Sequence, residues 1–74
     1  MAKKKKELLT PRQAQIFKFL KRYQAKHGYP PTRQEITDQF QFKSNNATAD
    51  HLKAIEKRGW IKIVPDTSRG IKIL

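Results

Sequence analysis

Cysteine is absent from this 74-residue chain, and so is any long apolar run. Without cysteine, the chain can form neither a disulfide framework nor a thiolate zinc site. No apolar stretch approaches the roughly 20 residues that a membrane-spanning helix needs. The Lys3–Lys6 run resembles the start of a signal peptide, but no apolar segment follows it. These absences favour a soluble, cytoplasmic protein without a metal ion or a membrane partner.

Acidic residues are few, since six Asp and Glu stand against 17 Lys and Arg, for a formal net charge of +11. Residues 1–7 hold four of the lysines and one glutamate. The excess of positive charge is therefore not confined to the N-terminus, and it favours a polyanionic partner. The length allows one domain. No nucleophile, base and orienting group form a recognisable set, so we do not expect an enzyme.

The first helix is predicted over Pro11–His27. Thr10 and Gln13 have the spacing of a capping box, and Pro11 suits the first helical position. Apolar residues then recur at helical spacing, and Gly28 supplies a stop.

A second capping box, formed by Thr32 and Glu35, opens a short helix predicted over about Arg33–Phe40. Ser44 is suited to cap a third helix over about residues 45–58. Two helices joined by a turn of about four residues are the sequence form of a helix-turn-helix. The second helix of that motif enters the major groove of DNA.

Strand-forming residues at 60–64 and 71–74 flank a segment, residues 65–70, that is rich in turn formers. This pattern predicts a β-hairpin directly after the third helix. The fold class is therefore mainly α with a small β-hairpin, a three-helix winged helix-turn-helix. We expect this domain over residues 8–74. Residues 1–7 are expected to be a disordered basic arm, either a solubilising tail or a segment that contacts phosphates.

Four stretches carry a resemblance to a known family. The sequences LTPRQ at 9–13, YPPTRQEI at 29–36, HLKAI at 51–55 and SRGI at 68–71 are similar to the N-terminal DNA-binding domain of the LexA SOS repressor family. The resemblance covers about residues 8–74, in family order and at family spacing. It implies that the N-terminal part of the third helix reads the operator and that the wing, about residues 65–70, touches the DNA backbone.

The sequence also departs from the family pattern. Ala49 and Asp50 stand near positions where the family usually has two glutamates, and Gln41 stands where it typically has glycine. Gln41 is expected at positive φ, at a cost of about 1 kcal/mol. Full-length members add a C-terminal domain that dimerises and cleaves itself with a serine–lysine dyad. Because this chain ends at Leu74, we expect an excised domain or a naturally short relative, and no self-cleavage.

The candidate DNA contacts fall into two sets. The first set lies on the first turns of the third helix and is expected at base edges: Ser44, Asn45, Asn46, Ala47, Ala49 and Asp50. The second set lies at the ends of elements and is expected at the phosphate backbone: Arg12, Thr32, Arg33, Lys43, Lys53, Arg69 and Gly70. No catalytic residue, metal ligand or cofactor is expected.

Several of these candidates have an alternative role. An Asn side chain can pair with adenine N6 and N7, but Asn45 and Asn46 can instead support the cap of the third helix. Asp50 can accept a hydrogen bond from cytosine N4 or pair with a lysine one or two turns later. Ala47 can touch a thymine methyl group or lie in the core. Arg69 can contact DNA or remain a solvated loop charge.

The sequence therefore predicts the operator-reading module of a LexA-like repressor of the SOS response, associated with the nucleoid and without a small-molecule ligand. A second copy is expected on an inverted-repeat site, because one module alone should bind a half-site weakly. Two other functions stay open. One is a winged-helix protein-interaction module, which an exposed apolar patch would favour. The other is architectural DNA binding without sequence preference.

Overall fold

The computed structural model describes residues 7–74 and consists of three helices followed by a two-stranded hairpin. The elements are α1 (Pro11–His27), α2 (Arg33–Phe40), α3 (Asn45–Lys57), β1 (Ile61–Ile63) and β2 (Ile71–Ile73). The bounds of α1 and α2 agree with the prediction, α3 ends one residue earlier, and both strands are shorter than predicted. The predicted winged helix-turn-helix is confirmed.

Short-range hydrogen bonds explain where α1 and α2 begin. Thr10 Oγ1 accepts from the Gln13 amide at 3.2 Å, and Gln13 Oε1 accepts from the Thr10 amide at 3.1 Å. Thr32 and Glu35 repeat this arrangement at 3.1 and 2.8 Å. Both predicted capping boxes are therefore present, and each satisfies backbone amides that have no partner within the helix.

Residues in the left-handed region end α1 and α2. Gly28 ends α1 with φ 83°, which glycine adopts without a steric penalty. Gln41 ends α2 with φ 56° and ψ 41°, so the positive φ expected at this position is confirmed. Ser44 then caps α3, with its Oγ accepting from the Ala47 amide at 3.4 Å.

An apolar core lies between the three helices and the hairpin. Its fully or nearly buried members are Ile16, Phe17, Leu20, Ile36, Leu52, Ile55, Ile61 and Ile71. Trp60 lies at the edge of this core, where its ring makes a T-shaped contact with Phe17 at 5.2 Å between centroids. The core thus holds α3 between α1 and the hairpin.

The hairpin is antiparallel, with Ile61 paired to Ile73 and Ile63 paired to Ile71. Glu56 in α3 accepts a hydrogen bond from the Ile63 amide at 2.7 Å through Oε2. Because β1 is bonded to α3 in this way, the wing starts from a fixed point on the helix that precedes it.

Glu7, which the sequence places in the basic arm, forms hydrogen bonds with the body of the domain. Its amide donates to the Arg58 carbonyl at 2.9 Å, and its carbonyl accepts from Trp60 Nε1 at 2.6 Å. These bonds join Glu7 to the residues that follow α3. The rest of the predicted arm, residues 1–6, lies outside the described residues.

Candidate nucleic-acid interface

A shallow groove of about 410 Å³ lies where the first turns of α2 and α3 meet the hairpin loop. It is lined by Thr32, Arg33, Gln34, Asn45, Asn46, Ala49 and Ser68. All but Gln34 and Ser68 are contacts predicted from the sequence, so the fold brings candidates for base and phosphate contact together. Ser68 is the first residue of the SRGI stretch. Its place in the predicted wing could have identified it as a candidate contact.

The exposed first turn of α3 provides the side chains best placed to meet a base edge. Asn46 is exposed, and its side chain forms no hydrogen bond with any of residues 7–74. Its amide is therefore not used to support the Ser44 cap. Ala49, one turn further on, is half-buried at the wall of the groove. Both positions leave room for a ligand in the groove.

Asn45 has its amide group engaged by α2. Its Nδ2 donates to Gln34 Oε1 at 3.2 Å, and its Oδ1 accepts from Thr37 Oγ1 at 2.7 Å. This differs from the predicted support of the Ser44 cap. A base contact by Asn45 would have to compete with these two hydrogen bonds, which join the first turn of α3 to α2.

The remaining candidates on α3 lie around this turn. Ser44 is exposed, and Ala47 is half-buried rather than part of the core. Asp50 and Lys53 are also exposed, and within residues 7–74 no ion pair joins Asp50 to a lysine. The carboxylate of Asp50 therefore stays available at the surface.

Two basic candidates lie near the turn between α2 and α3. The guanidinium carbon of Arg12 is 5.8 Å from the centroid of the Phe42 ring, within the range of a cation–π contact. Phe42 also stacks on His51 of α3, with 5.0 Å between the ring centroids. Lys43 follows Phe42 and is exposed. Arg12 and Lys43 thus place positive charge beside the start of α3.

Arg69 holds its guanidinium against the body of the domain. Its Nη1 lies 2.9 Å from Glu35 Oε1 and 2.9 Å from the Pro30 carbonyl oxygen. The guanidinium carbon is 4.4 Å from the centroid of the Tyr29 ring. Tyr23 donates to Glu35 Oε2 at 2.9 Å. The group is therefore a bonded part of the fold, unlike the solvated loop charge that was one prediction for it.

These contacts change the titration of the cluster. The Thr32 amide, followed by the Arg69 guanidinium, lowers the pKa of Glu35 from 4.5 to about 2. The hydrogen bond to Glu35 raises the pKa of Arg69. Burial, followed by the hydrogen bond to Glu35, raises the pKa of Tyr23. At neutral pH the cluster therefore contains a carboxylate and a guanidinium that neutralise each other.

Gly70, which the sequence predicts at the DNA backbone, is buried in the free domain. Its carbonyl accepts from the Val64 amide at 2.7 Å. A Cβ at this position would collide with the Val64 carbonyl oxygen and lie 2.7 Å from Cγ2 of Thr67. Glycine is needed here because the loop folds back onto its own backbone, leaving no space for a side chain.

Among residues 7–74, the part of the chain that the structure describes, no group of three or more His, Cys, Asp or Glu residues is placed to hold a metal ion. No helix there has both the length and the apolar character that crossing a lipid bilayer requires.

The winged helix-turn-helix fold, with a groove at the start of its second motif helix, places this chain in the class of winged-helix DNA-binding domains. Residues 6–70 match the LexA DNA binding domain, and the chain belongs to that family. It is 54% identical over 65 residues to the LexA repressor of Pseudomonas aeruginosa and 57% identical over 65 residues to that of Shewanella pealeana. Each alignment covers 88% of this chain and 32% of the relative. The chain thus spans about a third of the length of these curated relatives.

Proposed function

We propose that this chain binds double-stranded DNA in a sequence-specific manner and acts as the operator-reading part of a transcriptional repressor of the SOS response. The observation that carries the proposal is the groove, in which the exposed Asn46 of α3, the first turn of α2 and Ser68 of the wing share one surface. Membership of the LexA DNA-binding domain family and the repressor names of its relatives support the same function.

In the proposed complex, α3 enters the major groove with its first turns at the base edges. Asn46 pairs with an adenine, and Asp50 accepts from a cytosine N4 group. Ala49 permits close approach because its side chain is a single methyl group. Since the two family glutamates are replaced by Ala49 and Asp50, the preferred operator should differ from one read by two longer carboxylates.

The first turn of α2 is the proposed phosphate site. Thr32 and Arg33 line the groove, and the amides of a helical first turn are suited to bind an anion. Arg12, Lys43 and Lys53 are exposed, and we propose them as further phosphate contacts. Each phosphate that they neutralise should steepen the dependence of log K on log salt concentration by about 0.9.

Two further features of the proposal concern the assembled repressor. We propose that two copies occupy an inverted repeat, since one module offers only one recognition helix. The role proposed for residues 7–74 is binding, without a catalytic step, in association with the nucleoid.

A protein-docking function is less well supported. The large apolar side chains that are most exposed among residues 7–74 are Leu8, Tyr29, Val64 and Leu74. None of them lines the groove, and no large apolar side chain is among its lining residues. An apolar partner surface would therefore find little to bury at the site that the fold assembles.

The test is selection of bound sequences from randomised duplexes at about 150 mM salt, near physiological ionic strength, with fluorescence anisotropy as the affinity readout. Enrichment of a half-site, or of two half-sites in inverted orientation, is the expected result. Binding without enrichment would point to architectural DNA binding and contradict the proposal. Absence of binding would also contradict it and direct attention to a protein partner.

A further inference from the structure

The loop of the wing is joined to the helical body through one side chain. Arg69 lies 34 residues after Glu35 and 39 residues after Pro30, and one guanidinium nitrogen bonds both. The ring of Tyr29 lies beside the same guanidinium, at 4.4 Å from its central carbon. Through Glu35, the hydroxyl of Tyr23 joins the cluster from α1. One wing residue therefore contacts the α1–α2 loop and α2 at once.

The residue before Arg69 lies on a different surface. Ser68 is exposed and lines the groove together with Thr32 and Arg33, whereas Arg69 is directed to Glu35. On the other side, Gly70 is buried and accepts a hydrogen bond from Val64. The loop is thus anchored at the two positions that follow Ser68.

We infer that Arg69 is a positioning residue of the wing and that Ser68 makes the contact with the DNA backbone. The bond between Arg69 and Glu35 holds the loop against the first turn of α2, so that Ser68 faces the same phosphates as Thr32 and Arg33. This inference rests on the proposed DNA-binding function. It assigns to Ser68, instead of Arg69, the contact that the wing is expected to make with the DNA backbone.

The physical basis is preorganisation. A loop that is already held in its bound conformation loses less conformational freedom when it binds, and this strengthens binding. An isolated ion pair at the surface contributes little. Here the guanidinium also bonds the Pro30 carbonyl and lies against Tyr29, and a planar group with several donors is suited to hold such contacts together.

Glu35→Gln separates positioning from direct contact. The variant keeps an oxygen that can accept from the Thr32 amide, since Gln also serves in capping boxes. It removes the ionic partner of Arg69 and one negative charge. Coulomb attraction to DNA alone would therefore tighten binding. Positioning of the wing predicts weaker binding to the selected site, by about tenfold, equivalent to about 1.4 kcal/mol.

Asp66→Asn is the matched control. Asp66 is an exposed acidic residue of the same loop, it has no ion pair within residues 7–74, and asparagine tolerates its φ of 62°. This variant removes the same charge without disturbing Arg69, and equal or slightly tighter binding is expected. Circular dichroism and thermal unfolding should show that both variants are folded at the temperature of the binding assay.

Amide hydrogen exchange of the full chain without DNA gives a second readout. Exchange at Val64, whose amide donates to the Gly70 carbonyl across the loop, should be faster in Glu35→Gln than in the wild type, by about tenfold if the loop opens more often. Ser68→Ala should leave exchange at Val64 unchanged, yet weaken DNA binding several-fold.

Three results would overturn the inference: Glu35→Gln binding DNA as tightly as Asp66→Asn, unchanged exchange in the loop of Glu35→Gln, or Ser68→Ala binding like the wild type. A failure of the proposed function appears differently, because the wild-type chain would then show no sequence preference. The exchange measurement needs no DNA, so it tests the anchoring of the wing independently.

Discussion

Thr37 and Thr48 place their hydroxyl oxygens 2.6 Å apart in the interface between α2 and α3. Thr48 is fully buried, and Thr37 Oγ1 also lies 2.8 Å from the Arg33 carbonyl and 2.7 Å from Asn45 Oδ1. A hydroxyl has one proton, so the bonds are compatible when Thr48 donates to Thr37 and the Thr37 proton is shared between the Arg33 carbonyl and Asn45 Oδ1. Hydrogen bonds, together with apolar packing, therefore hold the two helices of the motif.

We expect Thr48→Val to lower the free energy of unfolding by about 1 kcal/mol, because the shape is retained while a buried hydrogen bond is lost. Chemical denaturation followed by Trp60 fluorescence measures the change. Thr67→Val, at an exposed loop threonine, is the control and should shift the free energy by less than about 0.5 kcal/mol. A Thr48→Val protein as stable as the wild type would contradict the importance of this hydrogen bond.

The two asparagines at the start of α3 should respond differently to truncation. Asn46→Ala should lose about 1–3 kcal/mol of binding free energy on the selected site, with little change on random DNA, because the proposed contact of Asn46 is with a base alone. Asn45→Ala, unlike Asn46→Ala, should lower the free energy of unfolding, because the hydrogen bonds of Asn45 to Gln34 and Thr37 disappear. Anisotropy and denaturation on both variants make the comparison. Equal weakening of specific and random DNA binding by Asn46→Ala would show that Asn46 does not read a base.

Gln41→Gly should stabilise the domain by about 0.5–1 kcal/mol. Gln41 holds φ 56° as a non-glycine residue, and relief of this strain exceeds the extra entropy of the unfolded chain. Thermal unfolding measures the shift in midpoint. Gln39→Gly is the matched control, since Gln39 is an exposed residue inside α2, where glycine should destabilise by about 0.5–1 kcal/mol. Destabilisation by Gln41→Gly would show that the side chain of Gln41 stabilises the fold by more than the strain of its positive φ costs.

Acid should remove the contribution of Glu35 to stability. Its pKa is about 2 in the folded chain against 4.5 for an ordinary glutamate. A carboxylate whose pKa falls on folding stabilises the fold above its unfolded pKa. That stabilisation is lost as the pH falls from 4.5 towards 2. The difference in thermal midpoint between the wild type and Glu35→Gln should therefore be largest near neutral pH and smallest near the lower value. If the thermal midpoints of the two proteins changed with pH in parallel, groups other than Glu35 would be responsible for the acid sensitivity.

The helices were predictable because their signals are local. Each capping box joins residues only three positions apart, and Gly28 and Gln41 end their helices through backbone conformation at a single position. Local hydrogen bonds and dihedral preferences act before any tertiary contact exists. Because these local signals give the elements in order, three helices followed by a hairpin, they were enough to predict the winged helix-turn-helix.

The partners of individual site residues were not predictable in this way. Asn45 bonds Thr37, eight positions earlier, and Arg69 bonds Glu35, 34 positions earlier, so neither pairing leaves a periodic signal in the sequence. The close packing of Gly70 against the Val64 carbonyl and Thr67 was equally invisible in the sequence, because it depends on how the loop folds. The sequence by itself determined the elements, the family and the basic surface. Only the tertiary structure decided which polar side chains form hydrogen bonds within the domain and which do not, because those bonds depend on packing between residues far apart in the sequence.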